Sequence, residues 1–303
     1  MPPSLLALVL LTQATPPPAA PRPAEAPEYA RAFHRGDYPQ AKALAAERLQ
    51  AVPGDASARI LLARAEAAMG RFDAGYAGFR EAQRRAPRNP DALYYLGVTA
   101  GVMAQIEYER LLKMAPGSAR AHQLRGQSYA AQGRNADAEA AYEAALAAGP
   151  PSAEVLVALG DLERGRVSFA EAREHYKRAL DLAPSSYDAL YGLGVCDSYA
   201  REHAHAIEYF RRALRVLPDS AAARLALGIS LLQTGQATAA VTELLAAAKL
   251  EPRMRQAYYQ LGRAYQSLGR SSDSEAAFAK AQELGRQQRE FAEGLLEPGP
   301  DPR

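Results

Sequence analysis

The chain has 303 residues, 48% of them hydrophobic and 23% charged, and its 36 Lys and Arg against 34 Asp and Glu leave a net charge of only +2. That composition excludes a disordered chain and a bundle of membrane helices. A near-balance with no block of like charges offers no basic stripe to nucleic acid, and a single cysteine, Cys196, excludes an internal disulfide or a thiolate metal cluster.

In chain order, the first segment holds a short apolar run, Leu5 to Leu11, followed by Thr12-Gln13-Ala14 with small residues at the positions a signal peptidase inspects. The expectation is a signal peptide over 1–14 and an exported chain, periplasmic or secreted, with no integral membrane segment once matured. A cytoplasmic chain is the alternative, because no Lys or Arg precedes the run and the first is Arg22. Residues 15–24 form a Pro- and Ala-rich linker.

From 25 to 288 the chain repeats itself. Gly126, Gly160, Gly194, Gly228 and Gly262 are each 34 residues apart. Twelve residues after each comes Ala138, Ala172, Ala206, Ala240 or Ser274; sixteen after, Tyr142, Tyr176, Phe210, Leu244 or Phe278. Pro150, Pro184, Pro218 and Pro252 close four of the units, and Arg286 breaks the series. Each unit reads as helix, turn, helix, turn. The small residue lets two helices cross closely and the large one fills the space beside it, while proline stops the second helix. Turn glycines Gly36, Gly70, Gly133, Gly235 and Gly269 supply the left-handed conformation that ends the first helix. Upstream, Pro53, Pro87 and Pro116 keep the frame, but the second of their intervals is five residues shorter than the first. One repeat, at 90–118, has therefore lost five residues between Gly97 and Pro116, where its turn belongs. Its two helices are expected to be shortened or partly merged.

The recurring order of Leu-Gly, a small residue, an aromatic, Ala and Pro within each period resembles the tetratricopeptide repeat. The resemblance covers eight units, near 25–55, 56–89, 90–118, 119–152, 153–186, 187–220, 221–254 and 255–288, and is most specific from Ala119 onward. It implies an all-α, right-handed superhelical solenoid of about eight hairpins. Tyr29 stands where the first repeat should have Gly, and the family's usual Trp is absent throughout. Residues 289–297 are expected to add a capping helix, and 298–303 a loose tail.

The resemblance also implies a partner-binding concave face made by the first helix of each repeat. Projected onto this sequence, it selects Tyr94 and Val98, Gln123 and Gln127, Val157 and Asp161, Tyr191 and Val195, Leu225 and Ile229, and Tyr259 and Arg263. Several of these could instead pack against the next repeat. The Lys or Arg and Asn that clamp chaperone carboxylates in some relatives are missing from the best repeats, which favours a more apolar ligand. His203 and His205 lie too close in sequence to share a helix face and read as solvated, Cys196 as a small buried hydrophobe. With no phosphate loop, nucleophile elbow or metal motif, no catalytic residue, metal or cofactor is expected. The reading is a non-catalytic scaffold or adaptor for a protein or peptide. The alternative is a recognition subunit of an enzyme or envelope assembly system whose catalytic part is a separate polypeptide. RNA binding is disfavoured by the near-neutral charge. The oligomeric state is not legible at this level.

Overall fold

A computed structural model describes residues 26–294, with no strand among them and fifteen helices: α1 (Glu28–His34), α2 (Tyr38–Ala51), α3 (Ala56–Ala68), α4 (Phe72–Arg85), α5 (Pro90–Met114), α6 (Ala119–Ala131), α7 (Asn135–Ala147), α8 (Ala153–Gly165), α9 (Phe169–Leu182), α10 (Tyr187–Tyr199), α11 (His203–Val216), α12 (Ala221–Gln233), α13 (Ala237–Leu250), α14 (Arg255–Ser267) and α15 (Ser271–Gly294). The expected signal peptide, linker and tail lie outside the described residues. The architecture is an all-α solenoid in two compact units that divide between Pro116 and Gly117.

The local rules that set these boundaries recur with the repeat. Asp55, Asn89, Ser118, Ser186 and Ser220 each cap a first helix by accepting a hydrogen bond from the backbone N–H three residues on. Second helices stop at Val52, Ala86, Ala115, Ala183, Leu217 and Glu251, with φ between −127° and −140°. Each precedes a proline, whose ring denies the preceding residue helical dihedrals. Inside the hairpins, Gly36, Gly70, Gly133, Gly235 and Gly269 have φ between +70° and +83°. Two repeats make the same turn without glycine, at Val167 (φ +67°) and Arg201 (φ +64°).

In the first unit the core runs from Tyr29 and Phe33 through Leu61 to Phe79, Tyr95 and Val102. The Phe79 and Tyr95 rings stack at 5.6 Å, and the Arg64 guanidinium lies over both Phe33 and Tyr95, 4.4 and 4.6 Å from their centroids. In the second unit each glycine of the recurring series faces the large residue of its own second helix. A Cβ on Gly126, Gly160, Gly194, Gly228 or Gly262 would sit 2.5–2.8 Å from Tyr142, Tyr176, Phe210, Leu244 or Phe278. Where Ser274 replaces the usual alanine, its hydroxyl donates to the Gly262 carbonyl at 2.9 Å, so the buried polar group is satisfied.

Two expectations are corrected. The shortened repeat is neither two shorter helices nor a partial merger: α5 is one uninterrupted helix of 25 residues. With five residues gone there is no chain left for a turn, and the hydrogen-bond ladder continues through it. The separate capping helix at 289–297 is likewise absent from the described part of that segment, because α15 continues from the last repeat to Gly294. Arg286 stands where proline stops the other repeats, so nothing ends the helix there.

Candidate functional site

The second unit presents its first helices, α6, α8, α10, α12 and α14, one repeat apart. Three residues before and one after each glycine fall on one side of these helices, as 3.6-residue periodicity requires. Gln127, Asp161, Tyr259 and Arg263 are exposed there, while Val157, Tyr191, Val195, Leu225 and Ile229 are half-buried and Gln123 is buried. Tyr94 and Val98 belong to the first unit, on α5. Tyr94 is 48% exposed, and Val98 packs on the Phe79–Tyr95 cluster.

Several of these side chains already have partners. Tyr191 stacks on Tyr187, centroids 5.9 Å apart, and leans on Phe210, while Val195 and Leu225 pack on the same core. Burial pushes the Tyr191 phenol above its ordinary range, with Tyr187 adding to the effect. Asp161 accepts from the Tyr176 hydroxyl at 2.7 Å and from the Arg164 guanidinium at 3.0 Å. The side chain of Gln123 accepts from Arg120 at 2.7 Å and donates at 3.4 Å to Glu154, which stands one full repeat beyond Arg120. Gln123 thus ties its repeat to the next, while Asp161 and Tyr191 are held by side chains of their own repeats.

An open cavity of about 920 Å³ lies where the α13–α14 loop meets α14 and the extension of α15. Leu250, Pro252 and Met254 give it apolar wall, Arg253 and Arg255 give it positive charge beside the carboxylate of Glu251, and Tyr259 lies against it 49% exposed, its ring edge-on to Phe278 at 5.6 Å. Gln288, from the part of α15 beyond the missing proline, closes another side. The sequence points to Tyr259 alone among these; the rest come from a loop and from a helix extension that the repeat pattern does not describe.

Where α10 turns into α11, Asp197, Glu202 and His205 bring their ligand-type atoms within 4.8 Å of one another. One nitrogen of Arg173 lies 3.2 Å from both Asp197 Oδ1 and Glu202 Oε2, so a side-chain cation already stands among these carboxylates. His205 is exposed and His203 half-buried in the first turn of α11. Cys196 is buried, and burial pushes its thiol up to about 11.

No curated protein sequence matches the chain significantly. Among solved structures it is similar to MamA, at 26% identity over 55% of this chain and 96% of that one, with a TM-score of 0.51. MamA from residue 41 to its end, from Desulfovibrio magneticus RS-1, is 19% identical over 56% of this chain and 96% of that one, TM-score 0.53. YrrB, described as having an unusual peptide-binding site, is 19% identical over 58% and 91%, TM-score 0.52. The last two likenesses speak to the fold alone. A family model for the tetratricopeptide repeat matches residues 60–100, 104–153, 157–196, 198–251 and 225–289. With the recurring glycine–aromatic packing and the proline-stopped helices, those matches show that the chain belongs to the tetratricopeptide repeat family.

Proposed function

We propose that this is a non-catalytic interaction scaffold whose second unit holds an extended peptide, or an exposed segment of a partner protein, along its first helices, anchored in the cavity beside Tyr259. The observation that carries the reading is the cavity itself: an apolar wall, a half-exposed aromatic with a polar tip, and Arg253 and Arg255 in one open place. Such a mixture suits an apolar or aromatic anchor whose backbone or carboxylate groups meet the arginines and glutamines. YrrB shares the fold and is described as peptide-binding; the reading here rests on Tyr259 and its surroundings.

The test is a peptide selected from a random library against the full chain, with affinity measured by titration calorimetry. Tyr259→Ala is expected to weaken binding about tenfold or more with the helical circular dichroism unchanged. Because Tyr191 and Leu225 also serve the core, their truncation is a poorer probe. A peptide that binds the Tyr259→Ala and Arg255→Glu variants as well as the parent chain counts against the cavity.

We also infer that residues 1–14 direct export. No described helix is long and apolar enough to cross a membrane, and the apolar run at Leu5 to Leu11 has the length of a signal core, not a span. Sequencing the N-terminus of the chain purified from its own cells should find it cleaved after Ala14; retention of the apolar run would contradict export by cleavage.

A further inference from the structure

The merged helix α5 separates two halves of one packing unit. Everywhere else in the glycine series a second-helix side chain lies over the small residue of its own first helix, but a Cβ on Gly97 or Gly101 would meet nothing within 4 Å, and both glycines are exposed. The missing filler is present in the chain. Counting back from Pro116 as the other repeats count back from their prolines, Ala104 takes the place of Ala138 and Tyr108 that of Tyr142. Tyr108 is 46% exposed. In one continuous helix it lies eleven residues from Gly97, on the same face but about 16 Å along the axis, so it cannot reach its own hole.

That face is a seam in its own right. Tyr94, Gly97, Gly101, Ala104, Tyr108 and Leu111 alternate by three and four residues along nearly the whole of α5, the spacing that lets two helices mesh side by side. Ala92, Tyr95, Thr99 and Val102 are buried on another side, within the first unit. A second α5 running antiparallel, with the two-fold axis between Val102 and Met103 at the middle of the helix, sets Tyr108 opposite Gly97, Ala104 opposite Gly101 and Leu111 opposite Tyr94, twice over. A two-fold pairing must be self-complementary, and this seam carries knob and hole in mirror order.

We propose that two copies of this chain associate through α5, each placing Tyr108 over the Gly97 of the other and so rebuilding between chains the hairpin that the five-residue deletion prevents within one. Shortening a hinge until it cannot turn is a general route to exchanged dimers. The occupant is a second copy because the same chain supplies both the empty site and the side chain that fits it. This surface lies in the first unit and is independent of the peptide cavity.

The test is sedimentation equilibrium of the full chain over a range of concentrations. The unaltered chain is expected at twice the chain mass. Gly97→Glu places a carboxylate where the partner's ring seats, and the position is open and helical, so the variant should keep its helicity while its mass falls by half. Tyr108→Ser should weaken the dimer about tenfold or more. Inserting five residues that begin with glycine between Met103 and Ala104 puts a turn glycine seven residues after Gly97 and restores the spacing of the other repeats, and should give a monomer with a closed hairpin. A chain that is monomeric at every concentration, or a dimer that Gly97→Glu and the insertion both leave intact, overturns the proposal.

Discussion

Tyr176 shows how much the array asks of single atoms. It is fully buried, donates its hydroxyl to Asp161, accepts from Arg164 at 3.1 Å, and its ring lies against glycines of two successive first helices. A Cβ on Gly192 would sit 2.4 Å from the Tyr176 ring. The ring is pinned by its hydroxyl and cannot swing aside, so Gly192→Ala is expected to lower stability by about 1–3 kcal/mol, the usual penalty for overpacking, despite alanine's better helix propensity. Urea unfolding measures it; an unchanged midpoint would mean the interface yields.

At the same scale, Asp197 is 0% exposed, and its carboxylate has Arg173 as its nearest counter-charge. Burial pushes its carboxyl above the ordinary carboxylate range, while Arg173 pulls the other way without cancelling the shift. A carboxyl that holds its proton more tightly in the folded chain favours folding at acid pH and loses that contribution as pH rises through its folded value. Asparagine has no charge to bury. The melting temperature of Asp197→Asn should therefore rise relative to the parent between about pH 4 and pH 7, and a difference that shrinks over that interval would mean the Arg173 pair dominates instead.

Among elements, the turns distinguish what the repeat signals from what it conceals. The repeat period, the second-helix stops and the glycine–aromatic packing are all legible, because glycine and proline are required there by backbone and contact distance. The cap series Asp55, Asn89, Ser118, Ser186 and Ser220 shares the same period and shortening and is equally open to reading. Val167 and Arg201 carry no such mark of their own and are found only through the period, which sets them at 34-residue steps between Gly133 and Gly235. Val167 is β-branched and 69% exposed, so it bears the steric cost of positive φ with little packing in return. Val167→Gly should stabilise the chain by about 1 kcal/mol, seen as a higher melting temperature. A lower one would show that Val167 makes contacts that outweigh its strain. The site is harder to read than the fold for a related reason. Spacing places Tyr191, Leu225 and Tyr259 on one face, but how far the next repeat covers each of them depends on side chains a full repeat away. Tyr259 is left open where α15 outruns its missing proline.

For the molecule as a whole, the five-residue deletion and the absent proline act alike: each removes a punctuation mark, and each yields a long helix, 25 residues in α5 and 24 in α15, with a proposed interaction surface beside it. Each unit builds its core from its own residues. The buried clusters of the first unit run from Tyr29 to Val102, and those of the second from Ala138 to Ala277. In repeat proteins stability is approximately a sum of repeat and nearest-neighbour terms, so a chain beginning at Gly117 should retain the five complete hairpins it needs to fold. Such a fragment is expected to be helical, to melt cooperatively and to bind a selected peptide as the full chain does, because Tyr259 and its cavity lie entirely within it. It should also sediment as a monomer, having lost α5. Circular dichroism, calorimetry and sedimentation on the one fragment thus separate the two surfaces. Loss of peptide binding from a folded fragment would draw the first unit into recognition, and a fragment that still dimerises would move self-association away from α5.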